Sequence, residues 1–241
     1  MSAPARTFVL VPGAWHGAWC WHRVVPLLER RGHRVLTPEL PGTGASGTPP
    51  SSASLDSWAR VIAELVSAQP DPVVLVGHSR GGVVISRAAE MTQQNIGVLV
   101  YLAAYLLPAG GSVAAEARAD EGSLIPANMV AAESGATCTL RPEVIQQAFY
   151  GDCDQETVAF ARGRLSPEPL KPLVTNLKIS AQKFGAVPRT YIECTRDRTI
   201  SLEAQRRMQA ALPCHPVFTL ESDHSPFLSH PQELAEIMNG C

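Results

Sequence analysis

Apolar residues fall along this chain in two alternating rhythms. Six short runs, Thr7 to Val11, His33 to Thr37, Val73 to Val76, Val98 to Leu102, Pro188 to Cys194 and Pro216 to Leu220, are near-continuous and rich in β-branched side chains. Such runs read as strands, and one buried on both faces belongs to a parallel sheet. Between most of them the spacing changes to that of a helix. Trp21, Val24, Val25 and Leu28 fall at i, i+3, i+4 and i+7, and Gly32 supplies a stop. Leu55, Trp58, Ile62 and Leu65 form a second stripe, opened by Ser54 or Asp56 as the cap. Residues 202–212 and 231–238 add two more helices. The alternation predicts a doubly wound α/β fold with a mainly parallel six-stranded sheet flanked by helices.

Residues 108–186 break the rhythm. They hold alanine-rich helical fragments, Val113 to Ala119 and Glu143 to Tyr150, and no convincing strand. So long an insertion is more than a plain crossover. The expected division is a core of residues 1–107 and 187–241 with a helical cap, 108–186, over the mouth of a cleft. The cap would supply the substrate pocket; extra packing helices away from the site are the alternative.

Chemistry concentrates where the third strand ends. Val73 to Val76 run directly into Gly77-His-Ser79-Arg-Gly81-Gly82, and Val83, Val84, Ile85, Ala88 and Ala89 then suit a helix packed back on the sheet. Glycines two before and two after a serine let the backbone approach itself closely, as a sharp strand-to-helix turn requires. In isolation the pattern is a glycine-rich loop with a surface serine. The flanking strand and helix make it a nucleophile elbow that presents Ser79 to a cleft, with N–H groups nearby for an oxyanion.

An activated serine needs a base, and the base needs an acid to orient it. With an elbow, both come from the carboxyl ends of later strands, in the order serine, acid, histidine. Of the seven histidines, His16, His22, His33 and His78 precede the serine, His215 begins a strand and His230 opens a helix. His224, just past the last strand, is the expected base. Asp197, three residues past the strand ending at Cys194, is the expected acid. Asp223 is its rival, but it adjoins His224 in sequence, so its side chain should diverge. The oxyanion donors should be the N–H of Arg80 and one from the loop Pro12 to Gly17, for which Ala14 is chosen.

Composition narrows the partners. At 241 residues the chain suits one domain, and folding at that size buries roughly 70% or more of the unfolded chain's surface. Twenty Lys and Arg balance twenty-two Asp and Glu, a net charge of -2, with no basic patch for nucleic acid. The apolar run at residues 8–11 is too short for a signal-peptide core, and the longest, Val98 to Leu107, is about half a membrane span. A soluble cytoplasmic protein is expected. Cysteines 20, 138, 153, 194, 214 and 241 are scattered without metal spacing and read as reduced thiols. Gly42 to Gly47 matches G-x-G-x-x-G, but Thr48-Pro-Pro-Ser-Ser52 follows where a dinucleotide fold needs a helix. Gly151 to Asp154 lacks the closing glutamate of a calcium loop and reads as a surface turn.

With these residues assembled, the chain resembles the α/β-hydrolase superfamily over essentially its whole length. The segments Phe8 to Trp21, Gly32 to Val35, Gly77 to Gly82, Tyr191 to Asp197 and Asp223-His224 look like the branch containing plant methylesterases, hydroxynitrile lyases and bacterial pyrethroid-hydrolase-like esterases. The resemblance implies an α/β-hydrolase fold with an inserted cap, a triad of Ser79, Asp197 and His224, and oxyanion donors at Ala14 and Arg80. Residues 39–46 are similar to the family's D-x-P-G-x-G-x-S, with Glu39 in place of aspartate. Pro12 stands where many members have histidine. Ser225 stands where hydroxynitrile lyases carry a lysine, which argues for hydrolysis over cyanohydrin cleavage.

The expected activity is that of a cofactor-free, metal-free serine hydrolase acting on a small apolar carboxylic ester. Trp15, Leu106, Phe149, Phe160 and Phe227 are candidates to line its pocket. A lyase, a lactone-opening or cyclising enzyme, a perhydrolase, or a non-catalytic ligand-binding protein on the same scaffold are the alternatives. The oligomeric state stays open, a homodimer included.

Overall fold

A computed structural model describes residues 5–241. Six strands, β1 (Thr7–Val11), β2 (Arg34–Leu36), β3 (Val73–His78), β4 (Ile96–Leu102), β8 (Arg189–Cys194) and β9 (Val217–Leu220), form one sheet in the order β2-β1-β3-β4-β8-β9. Every pairing in it is parallel. All six match the predicted runs to within two residues at each end. β3 lies at the centre with every residue buried, as its uninterrupted apolar run requires. Side chains alternate along β1: Val9 and Val11 enter the core on one face, Phe8 and Leu10 the core on the other.

The helices pack on both faces. Ser54 caps the helix Leu55–Ser67 by accepting from Ser57 N at 3.0 Å, while Ser57 Oγ accepts from Ser54 N at 3.0 Å. Asp56 lies in the first turn and is not the cap. The stripe predicted over residues 21–28 divides into a 3-10 segment, Ala18–Arg23, and a short α-helix, Val25–Glu29. Pro26 is the cause: it has no N–H to continue an α-helical ladder from the preceding turn. The helices Gly81–Met91, Leu202–Ala211 and Pro231–Gly240 follow β3, β8 and β9. No helix among the described residues is long and apolar enough to cross a membrane.

The segment between β4 and β8 differs from expectation. It does contain helices, at Val113–Ala119, Ile145–Phe149, Gln155–Arg162 and Leu170–Val174, but also three strands, so it is not a purely helical insertion. β5 (Met129–Ala131), β6 (Thr137–Leu140) and β7 (Glu168–Pro169) make an antiparallel sheet in the order β5-β6-β7. These strands are two to four residues long, too short to show a period-2 pattern. Part of the segment lies over the carboxyl end of β3, where Val113, Ala117, Ile125, Met129 and Leu173 share a cavity with Ser79.

Candidate active site

Ser79 has φ 55, a left-handed conformation that costs a non-glycine residue about 1–3 kcal/mol. The turn around it is over-determined. Ser79 N donates to Leu102 O at 3.2 Å, and Ser79 O accepts from Tyr105 N at 3.0 Å, so the elbow is pinned to the exit of β4. A Cβ on Gly77 would stand 2.6 Å from Gly81 O, and one on Gly82 2.5 Å from Tyr105 O. These contacts explain why the tight strand-to-helix turn takes glycines on both sides of the serine.

The structure brings His224 and Asp197 together. Asp197 Oδ2 accepts from His224 Nδ1 at 2.7 Å, both side chains being fully enclosed. Asp197 Oδ1 accepts from Thr199 N at 2.7 Å and Ile200 N at 2.9 Å, which fixes the carboxylate. Asp223 does diverge. Its Oδ2 accepts from Asp152 N at 3.0 Å, and its Oδ1 from Ser225 N at 3.0 Å and Ser229 Oγ at 2.8 Å. It therefore shapes the loop that carries His224, and burial raises its pKa. Arg196 turns away from Asp197 to pair with Asp152 at 3.0 Å.

The histidine loop and the elbow are joined directly. His78 Nε2 donates to His224 O at 2.8 Å, and the two rings lie 4.5 Å apart between centroids. Burial and the neighbouring His224 and His16 hold His78 well below the ordinary histidine pKa. Ser79 and Thr199, the latter bound to Asp197, line the same cavity.

The peptide units on either side of Ala14 are tied to their surroundings. Gly13 O accepts from Arg80 Nη2 at 3.1 Å, Ala14 O from His16 Nδ1 at 2.8 Å, and Trp15 N donates to Glu168 Oε2 at 2.9 Å. Among the described residues neither Ala14 N nor Arg80 N donates to a protein acceptor. His16 is itself buried, with Nε2 accepting from Tyr150 OH at 2.7 Å, and burial lowers its pKa to about 3. Trp15 has φ 63, a second left-handed residue in the site.

The Arg80 side chain is an unpredicted part. Its guanidinium, 1% exposed, pairs with Glu168 Oε1 at 2.6 Å and lies 4.2 Å from the centre of the Trp58 ring. Burial pushes the Glu168 carboxyl up, against the opposing pull of Arg80. Glu168 stands between Pro167 and Pro169, 88 positions from its partner, and its sequence surroundings read as loop. The usable signal was Arg80 itself: a cation forced inside by the elbow calls for a buried anion.

The cavity over Ser79 is about 330 Å³ and mostly apolar. Of the five candidate pocket residues, Trp15 lines it. Leu106, Phe149, Phe160 and Phe227 do not. Leu106 belongs to the core on one face of the sheet. Phe227 packs edge-on against His78, 4.8 Å between centroids. Phe149 packs behind Trp15 and borders a neighbouring cleft, while Phe160 lies against His22 and Arg164. These three phenylalanines thus pack beside or behind the site; besides Trp15 the walls include Val113, Ala114, Ala117 and Leu173, with Tyr105 and Arg118.

Comparison with known proteins adds a second, independent line. A model of the alpha/beta hydrolase family matches residues 8–237. Methylesterase 2 of Arabidopsis thaliana is 30% identical over 246 residues, which cover 95% of this chain and 93% of that one. A longer chloroplastic methylesterase-like protein of the same plant is also 30% identical, and the chain spans 62% of its length. Among solved structures, tomato methylketone synthase I bound to 2-tridecanone superposes with a TM-score of 0.88 at 26% identity, covering 99% of this chain and 98% of that one.

Proposed function

Because the chain belongs to the alpha/beta hydrolase family, we propose that it hydrolyses carboxylic esters through a serine nucleophile and an acyl-enzyme intermediate. Ser79 Oγ attacks the ester carbonyl while His224 Nε2 takes its proton, and Asp197 holds the imidazole in the required tautomer. The N–H groups of Ala14 and Arg80 receive the oxyanion. The protonated imidazole then gives its proton to the leaving alcohol. Water repeats the sequence on the acyl-enzyme, restoring Ser79 and releasing the acid.

The observation that carries this reading is the enclosed 2.7 Å pair of His224 and Asp197, with the loop of His224 hydrogen-bonded to the residue before a left-handed Ser79. The cavity supports a substrate with an apolar acyl or alcohol part, and residues 108–186 act as the cap that selects it. Methyl esters are the first class to test, since methylesterases are among the relatives. Ser225, with its N–H bound to Asp223, places no ammonium beside His224, which favours hydrolysis over a lyase reaction. All six cysteines are free, which fits action in the cytoplasm.

Fluorophosphonate labelling with peptide mapping tests the mechanism: the adduct is expected on Ser79, and labelling elsewhere or not at all refutes it. Turnover in ¹⁸O-water tests the reaction type. A hydrolase places solvent oxygen in the acid product; a lyase does not.

A further inference from the structure

We propose that Glu168 is a positioning residue for the oxyanion hole, a carboxylate from the insertion that orients the Gly13-Ala14-Trp15 backbone through Arg80 and through Trp15 N–H. This rests on the reading of Ser79 as nucleophile and of Ala14 and Arg80 as oxyanion donors. One oxygen, Oε2, accepts from Trp15 N at 2.9 Å; the other, Oε1, accepts from Arg80 Nε at 2.6 Å. Arg80 passes the restraint on, its Nη2 donating to Gly13 O at 3.1 Å.

Gly13 O and Ala14 N–H belong to the same peptide unit. In a trans peptide they point in opposite directions, so fixing the carbonyl on Arg80 aims the N–H the other way. The next unit is held at both ends, with Ala14 O on His16 and Trp15 N–H on Glu168. Of the polar groups in these two units, only Ala14 N–H is left without a protein partner among the described residues. Trp15 Nε1 donates to Cys138 O at 3.1 Å, so a second contact from the insertion holds the left-handed Trp15.

An apolar pair of similar volume in place of a buried Arg–Glu pair is often neutral or favourable for stability. What apolar side chains lack is direction. Two N–H groups converging on one carboxylate set angles as well as distances, and oxyanion donors work only when correctly aimed.

The test compares Glu168→Gln with the unsubstituted chain, with active sites counted by fluorophosphonate so that turnover is expressed per functional serine. A carboxamide replaces one of the two acceptor oxygens by an NH2 donor, so it cannot meet Trp15 N–H and Arg80 Nε with one oxygen each, as the carboxylate does. The expected result is a kcat lower by about 10- to 100-fold with KM within about threefold, the pattern of a lost transition-state interaction. Affinity for a trifluoromethyl ketone, which forms an oxyanion on the serine, should weaken by the same factor as kcat/KM. A kcat per site within about twofold of the original, with only the melting temperature lowered, overturns the proposal.

Should Glu168→Gln fail to fold, the double variant Arg80→Met, Glu168→Leu keeps the backbone donors and exchanges the pair for apolar volume. It should fold and show the same fall in kcat; full kcat overturns the proposal. Unsubstituted protein without label on Ser79 refutes the nucleophile reading and this proposal with it. Labelled protein with unchanged kcat in the variants refutes only the role of Glu168.

Discussion

Acid should destabilise this protein through a histidine that takes no part in the proposed chemistry. His16 is 1% exposed, donates from Nδ1 to Ala14 O and accepts at Nε2 from Tyr150 OH, an arrangement that requires the neutral ring. Burial, reinforced by the charges of His224 and Arg80, holds its pKa at about 3, against 6.5 for an unperturbed histidine. A depressed folded-state pKa gives a contribution fully present above pH 6.5, lost progressively below it and constant again below about pH 3. Between pH 7 and pH 5 the unfolded chain gains most of a proton at this position while the folded chain gains none. Integrating that difference gives a loss of roughly 2 kcal/mol, a sizeable part of a typical domain's 5–15 kcal/mol. His78, depressed by burial in the same way, adds to the loss. Carboxylates titrate over the same range, so the measurement is a difference between proteins. Urea unfolding followed by tryptophan fluorescence at pH 7 and pH 5 should show the unsubstituted chain losing about 2 kcal/mol more than His16→Gln, whatever the variant's starting stability. Equal losses in the two proteins would refute the neutral buried imidazole.

Three further substitutions probe other parts of the site. Asp197→Asn keeps an acceptor for the N–H groups of Thr199 and Ile200 but turns an amide towards His224 Nδ1, favouring the wrong tautomer; ester turnover should fall by about 10⁴ with the melting temperature little changed. Gly77→Ala forces a Cβ to within 2.6 Å of Gly81 O, backbone that cannot give way, so a loss of about 3 kcal/mol is expected in denaturant unfolding. Ala117→Phe fills part of the cavity above Ser79 and should lower kcat/KM for long-chain esters by 10-fold or more, on the order of what misfit in an apolar pocket costs, while acetyl esters are spared. Steady-state kinetics on an ester series reads the last outcome, and equal effects on short and long chains would refute the placement of the pocket.

The sheet was legible because its strands are buried on both faces, so burial itself writes the β-branched runs into the sequence. The contact of His224 with Asp197 was legible for a related reason: taking Ser79 as a nucleophile at a strand end restricts the search for its partners to later strand ends at the same edge. Asp223 shows where adjacency misleads, since a neighbour in sequence points elsewhere and spends its carboxylate on Asp152, Ser225 and Ser229. The pocket was not legible. Large aromatic residues suggested themselves as walls, yet Phe227 and Phe149 crowd around the buried imidazoles of His78, His16 and His224, where bulk excludes water. Space for a ligand is left by small residues, and an alanine-rich helix such as Val113–Ala119 carries little pattern by which to recognise it.

The insertion was the least readable segment, and it reaches furthest into the site. Ser79, Asp197 and His224 stand on the central sheet's strand ends, but the loop that aims Ala14 N–H is held from outside the sheet, by Glu168 on β7 and Cys138 O on β6. The same segment supplies most of the apolar wall of the cavity. On the proposed reading of Ala14 and Arg80 as oxyanion donors, a substrate that seats the insertion firmly should also steady those donors, and one that props it open should loosen Glu168 from Trp15 and Arg80. Selectivity should then appear in kcat as well as in KM, because binding energy from the substrate's apolar part is spent on alignment at the carbonyl. Removing the Glu168 link separates the two effects: chain-length preference would persist in KM and disappear from kcat.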